Sequence, residues 1–152
     1  RADQYAVGLI VLEAFGGSEA LRLCREACTN LERAREYIEK GLREIADERI
    51  KQIKVINEKN ANFVFEDYYS SIIEIIHSLA LVNGYKISNH VCLGHYLNDF
   101  LKKGDLFRIF DDLRYKRNSL TYYGKKMDFE TAKDTIEKSK NIIKELKNIK
   151  TL

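Results

Sequence analysis

No proline occurs anywhere in the 152 residues of this chain. Proline punctuates strands, loops and helix starts, so a chain without one can run in long uninterrupted helices. The hydrophobic spacing agrees. From Glu19 on, Leu21, Cys24, Cys28, Leu31, Ile38, Leu42, Ile45, Ile53 and Ile56 fall mostly at steps of three and four, with Glu32, Glu36, Glu39, Lys40 and Arg43 on the other face. That predicts one long amphipathic helix, or two parted at Gly41, opened by Ser18 as its N-cap. A polar loop follows over 57–62. The segment 63–82 is apolar nearly all round, which marks a central helix with its polar residues Glu66, Ser70, Glu74, His77 and Ser78 gathered on one remaining face. Asn83-Gly84 ends it. Ser88 caps a shorter helix carrying Val91, Leu93, Tyr96, Leu97, Phe100 and Leu101, closed by Lys102-Lys103-Gly104. Asp105 caps the next helix, Gly124 stops it, and Asp128 caps a last one with Phe129, Ala132, Ile136, Ile143, Leu146 and Ile149 on one face. Residues 5–15 are a short helix or an extended arm, which periodicity does not decide. The expected fold is all-α, an up-and-down bundle of about five helices, with residues 1–17 as an arm or short helix and 18–152 as one bundle domain.

Within the helix before Gly124, one residue breaks the pattern. Leu106, Phe110, Leu113 and Leu120 form an apolar stripe with spacings of four, three and seven, and Arg117 stands in the gap, in register with it. A cation there is costly unless it is paired, set at an interface or held for an anion. Two roles compete. Structurally, Arg117 pairs with a carboxylate from the central helix, Glu74 being the best placed. Functionally, its planar guanidinium holds a phosphate. Arg114 lies one turn earlier, and Asn118, Ser119, Thr121, Tyr122 and Tyr123 add donors, acceptors and rings, a suitable setting for a nucleotide or single-stranded RNA.

Composition narrows the field. Charged residues make up 32% and apolar residues 45%, a globular rather than a disordered balance. No apolar run reaches the eighteen or so residues of a membrane span, so no membrane partner is expected. The first residues, Arg1-Ala2-Asp3-Gln4, mix charges and lead into a short apolar run, unlike a secretory signal. The chain does not open on methionine, which is compatible with removal of an upstream segment. Three cysteines without close pairing argue for a reducing compartment, the cytoplasm. The net charge of +3 proves no nucleic-acid binding, but eight Lys/Arg against three Asp between Lys102 and Lys126 concentrate the excess around Arg117.

Other candidates are weaker. His90 and His95, with Cys92 between them, would stand about 140° apart on a helix and do not converge on one ion, so no metal site is expected. His77 is expected to make a hydrogen bond in the core. Cys24 and Cys28, four residues apart, are read as small core residues. No Gly-rich phosphate loop, zinc-protease motif or nucleophile elbow occurs, and no cofactor is expected.

The order of helices, the Asn83-Gly84-Tyr85-Lys86 turn followed by His90, and Arg117-Asn118-Ser119-Leu120-Thr121-Tyr122 before a final amphipathic helix resemble a HEPN domain (higher eukaryotes and prokaryotes nucleotide-binding), over roughly residues 18–150. The resemblance implies a homodimer whose two Arg-x4–6-His motifs meet in an interface cleft. In many members this is a metal-independent endoribonuclease, often the toxin paired with a small nucleotidyltransferase antitoxin; other members bind nucleotides. On that pattern Arg117 is the motif arginine, Asn118 its usual neighbour, and Tyr122 stands where the histidine belongs. Glu74 loosely fits the polar residue that the preceding helix often contributes; Arg114, Thr121 and Tyr123 join the expected binding residues by their position beside Arg117, not by the resemblance.

The substitution at Tyr122 has a chemical consequence. RNA cleavage needs a group to take the 2′-OH proton and a cation at the phosphorane. Histidine titrates near pH 6.5, whereas an ordinary tyrosine is ionised to about one part in a thousand at pH 7. The expectation is therefore a homodimer that binds RNA or a nucleotide through Arg117, Asn118 and Tyr122 with little or no nuclease activity. The alternatives are an active ribonuclease toxin using another base, either Tyr122 with a lowered pKa or His77, and a non-catalytic module for a nucleotidyltransferase partner.

Overall fold

The computed structural model describes residues 17–149, so the expected arm or helix at 5–15 lies outside the described residues. Five α-helices make up most of the described chain: α1 (Gly17–Lys51), α2 (Ala61–Val82), α3 (His90–His95), α4 (Gly104–Tyr123) and α5 (Phe129–Lys147). A π-helical turn, Tyr96–Phe100, follows α3, and no strand occurs among the described residues. The chain is all-α. It divides into two compact units, Arg1–Ile38 and Glu39–Leu152.

In the first unit the described residues are the leading part of α1. Here the stripe expected to be buried is open: Cys28, Leu31 and Ile38 are all exposed, so Cys28 is not a core residue. The side chain of Cys24 lies outside the described ones. Gly41, in the second unit, does not interrupt the helix, and Arg43–Glu39 and Lys40–Glu44 ion pairs at i,i+4 support the turns around it.

The second unit has its core on α2. Phe65, Tyr69, Ile72, Ile75, Ile76 and Leu79 are buried, and α2 makes its longest contact with α5, meeting Ile136, Ile142, Ile143 and Leu146 of that helix's apolar face in one cluster. Leu93, Leu97, Leu106, Phe110 and Leu113 fill the other side, and Ala46 of α1 closes the cluster. Because α2 is covered so widely, Ser78 is fully buried rather than on a polar face, its hydroxyl donating to the Ile75 carbonyl at 2.8 Å. A Cβ at Gly94 would stand 3.1 Å from the Phe107 ring, so α3 crosses α4 where it carries no side chain.

The caps follow expectation in part. The Asp128 carboxylate accepts the Thr131 amide at 2.9 Å, and Gly124 takes φ 62° at the end of α4, a conformation without steric cost only for glycine. Asn89, not Ser88, caps α3, its side chain accepting the Cys92 amide at 2.8 Å. Helix α4 begins at Gly104 after Lys103, so Asp105 sits inside the first turn, where it pairs with Arg108 and opposes the positive helix end. The single short helix expected after Ser88 is α3 plus the π-helical turn. Its ladder widens where the Leu101 amide reaches back five residues to Tyr96.

Candidate functional site

The C-terminal half of α4 lies against the N-terminal half of α2. Leu113 and Phe110 are drawn into the core by their spacing, and the same register brings Arg117 to its edge, half-buried. There it meets two rings. The guanidinium carbon lies 5.9 Å from the ring centre of Tyr69 and 5.3 Å from that of Tyr122. Its Nη1 donates to the Tyr122 hydroxyl at 3.2 Å and, at 3.4 Å, to Asn118 Oδ1. Among the described residues no carboxylate pairs with Arg117.

The carboxylate expected for that pairing is engaged elsewhere. Glu74 Oε1 accepts from Arg49 of α1 at 2.8 Å, and Asp67 stands 3.7 Å from the same guanidinium. A strip of α2 that faces α1 at Glu74 cannot also face α4. Arg114 is held by Asp111 at 2.7 Å, so its charge is largely offset. Thr121 donates its hydroxyl to Glu66 of α2 at 2.8 Å, tying the two helices together beside the arginine. Tyr122 and Tyr123 are 69% and 75% exposed, and with Tyr115, Asn118, Ser119 and Lys125 they line a recess of about 420 Å³. Of the residues singled out in the sequence, Arg117, Asn118 and Tyr122 are thus in contact, Tyr123 and Thr121 flank them, Arg114 is paired off, and Glu74 stands apart.

Two residues not assigned to this site from the sequence belong to it. Tyr69, only 2% exposed, stacks on Phe110 at 6.1 Å and presents its ring to Arg117. Its hydroxyl is 2.9 Å from Nδ1 of His90 at the start of α3, the two rings being 5.6 Å apart. Burial pushes the Tyr69 phenol up to about 12, against the opposing pull of the Arg117 and Arg114 charges. The phenol therefore keeps its proton at neutral pH and can donate to Nδ1, or accept from it, according to the imidazole tautomer. His90 is held below the usual histidine range, first by burial and then by the positive field of Arg117, with His77 and Arg114 adding to it. A tyrosine in a helix that is apolar nearly all round reads as core, and a histidine at the start of the next helix gives no local signal; only the packing joins them.

His77 makes no hydrogen bond among the described residues, contrary to the core bond expected for it, and burial lowers its pKa. Two depressed histidines have a consequence for stability. Below about pH 6.5 the unfolded chain takes up protons that the folded chain refuses, so stability, whole at pH 7, falls as the pH drops through 6.5 towards the lowered folded values. Thermal melts of the wild type between pH 7 and pH 5 are expected to show a falling Tm, and a His77→Gln, His90→Gln chain a shallower fall. Equal slopes for the two chains would show that the carboxylates alone set the acid response.

No protein-family model, curated protein or solved structure matches this chain.

Proposed function

We propose that the Arg117 site binds a phosphate-bearing ligand, RNA or a nucleotide, in a HEPN-like domain. One observation carries this reading: a half-buried guanidinium flanked by two tyrosine rings and left without a carboxylate among the described residues. An uncompensated cation at such a place is costly, and an anion arriving from solution offsets that cost. The exposed tyrosines and Lys125 beside it suit a strand rather than a lone phosphate, because successive bases can stack on the rings while the cations follow the backbone. The homodimer and the nucleotidyltransferase partner rest on the resemblance alone.

A second reading, a metal-independent endoribonuclease, is favoured by His90. A histidine kept neutral at pH 7 in the field of a phosphate-binding arginine has the protonation state of a general base. It would take the 2′-OH proton as the 2′-oxygen attacks phosphorus; the bond from phosphorus to the 5′-oxygen breaks, that oxygen leaves with a proton from water, and a 2′,3′-cyclic phosphate remains, with Arg117 facing the charge that develops at phosphorus.

Titrating a fluorescent single-stranded oligoribonucleotide in EDTA, then resolving it on a gel, tests both. Saturable binding with an intact strand is the expected result. Cleavage that His90→Ala abolishes and Tyr122→Phe spares would establish the second reading instead, and no binding at up to millimolar protein would overturn both.

A further inference from the structure

The leading part of α1 has a feature that the Arg117 site does not use. In the sequence, Leu21, Cys24, Cys28, Leu31, Arg35 and Ile38 follow one another at alternating steps of three and four without a break, and the rhythm continues at Leu42 and Ile45. That is the heptad spacing of a coiled-coil seam, with Leu21, Cys28 and Arg35 on one row and Cys24, Leu31 and Ile38 on the other. Of these, Cys28, Leu31 and Ile38 are exposed, Leu31 at 37% and Ile38 at 50%. A second pattern runs beside it: Ala20, Ala27, Ala34 and Gly41 recur every seven residues along one flank, while Arg25, Glu32 and Glu39 recur every seven along the other. Small residues on a flank let two backbones approach closely there, and charged residues on the opposite flank remain at the rim.

We propose that this stripe of α1 is a dimerisation seam taking a second copy of the same chain, antiparallel to the first. Orientation follows from Arg35. Two parallel copies would set Arg35 against Arg35 in one layer of the seam, a pair of like charges with no counter-ion. Antiparallel copies centred near residue 33 set Arg35 opposite Leu31 of the second copy and beside its Glu32, and Cys28 opposite its Ile38. The same orientation brings the alanine flanks together, Ala34 of each copy meeting the other, and leaves the charged flanks side by side. One like-charge pair remains, Glu32 facing Glu32 of the second copy, but it lies at the rim with an Arg35 beside each carboxylate, whereas the parallel Arg35 pair would stand inside the seam. The proposal does not depend on what the Arg117 site binds.

Sedimentation of the full chain at tens of micromolar is expected to give a dimer, and Leu31→Lys with Ile38→Lys a monomer whose circular dichroism still reports a folded helical protein. Orientation is read by cysteine cross-linking in a chain carrying Cys24→Ser and Cys92→Ser. Adding Ile38→Cys is expected to give a covalent dimer on oxidation, through Cys28 of each copy and the new thiol of the other. Cys28 alone is expected to give none, since ten residues of helix separate the two copies of Cys28 by about 15 Å, too far for a disulfide. A monomeric wild type, a dimer that survives both lysines, or a covalent dimer through Cys28 alone would each overturn the proposal. A dimer indifferent to the lysines but broken by Arg117→Ala would assign self-association to the α4 site instead.

Discussion

Replacing Arg117 with alanine is expected to weaken oligoribonucleotide binding roughly 100-fold, about 2.7 kcal/mol, while moving the melting temperature little. The two effects separate because the residue plays opposed parts in the free and bound states. In the free protein its guanidinium gains cation–π contact with Tyr69 and Tyr122, of order 0.5–1 kcal/mol each at a part-exposed site, and one hydrogen bond to the Tyr122 hydroxyl. Against this stands the cost of a half-buried charge without a counter-ion. The sum is near zero, so its removal leaves folding nearly untouched. In the proposed bound state a phosphate would supply the counter-ion, and the charge-assisted hydrogen bonds of a planar fork would be gained in full. Arg117→Lys separates charge from shape. It keeps the cation but loses the fork and the stacked plane, and a loss of roughly tenfold is expected. If Arg117→Ala instead lowered the melting temperature by many degrees and left binding unchanged, the arginine would be a packing residue and the phosphate reading would fall. Fluorescence anisotropy at two salt concentrations, beside differential scanning calorimetry, makes both measurements.

How much of this was legible in the sequence depends on how local each signal is. The helices α2, α4 and α5 can be read from periodicity, since Phe65, Phe110 and Ile136 reach the core through spacing alone. Gly124 and Asp128 can be read because capping chemistry acts within four residues. The start of α3 cannot, because Ser88 and Asn89 are both good caps and only the backbone decides which one faces the Cys92 amide. Arg117 announces itself by interrupting a stripe. Its surroundings do not. Glu74 and Tyr69 are both on α2, and choosing between them needs the rotation of that helix about its own axis. The ion pair with Arg49 turns the Glu74 strip towards α1, and the contact with Phe110 turns the Tyr69 strip towards α4. His90 enters the site by tertiary contact alone. The stripe on α1 shows the converse. Its spacing is as regular as that of any core helix, yet Cys28, Leu31 and Ile38 on it are exposed. Periodicity records that a face is meant to be covered, not by what.

Asn62 is expected to be the most consequential polar side chain for stability. It is buried in the first turn of α2, and its amide closes a two-way bond with the backbone of Met127: Nδ2 donates to the Met127 carbonyl and Oδ1 accepts the Met127 amide, each at 3.0 Å. One side chain thus does for the 124–128 connection what a neighbouring strand would do, and that connection joins the end of α4 to the cap of α5. Asn62→Ala leaves the Met127 amide and carbonyl without those partners, at a cost of about 2–3 kcal/mol, or roughly 6–12 °C in Tm for a chain of this size. Asn62→Asp is expected to be comparably damaging, because a carboxylate oxygen would then face the Met127 carbonyl and the first turn would gain a buried charge. The Arg117 site is expected to feel either change weakly, since Tyr69 and Phe110 hold Arg117 from within the core and do not depend on the connection. Hydrogen exchange is the direct readout. Protection of the Met127 amide should fall sharply in Asn62→Ala, while the amides of α2 and α4 lose protection only as far as global stability falls. Unchanged protection at Met127 would mean that the connection is held by its apolar contacts, Met127 packing on the core cluster, and not by the amide.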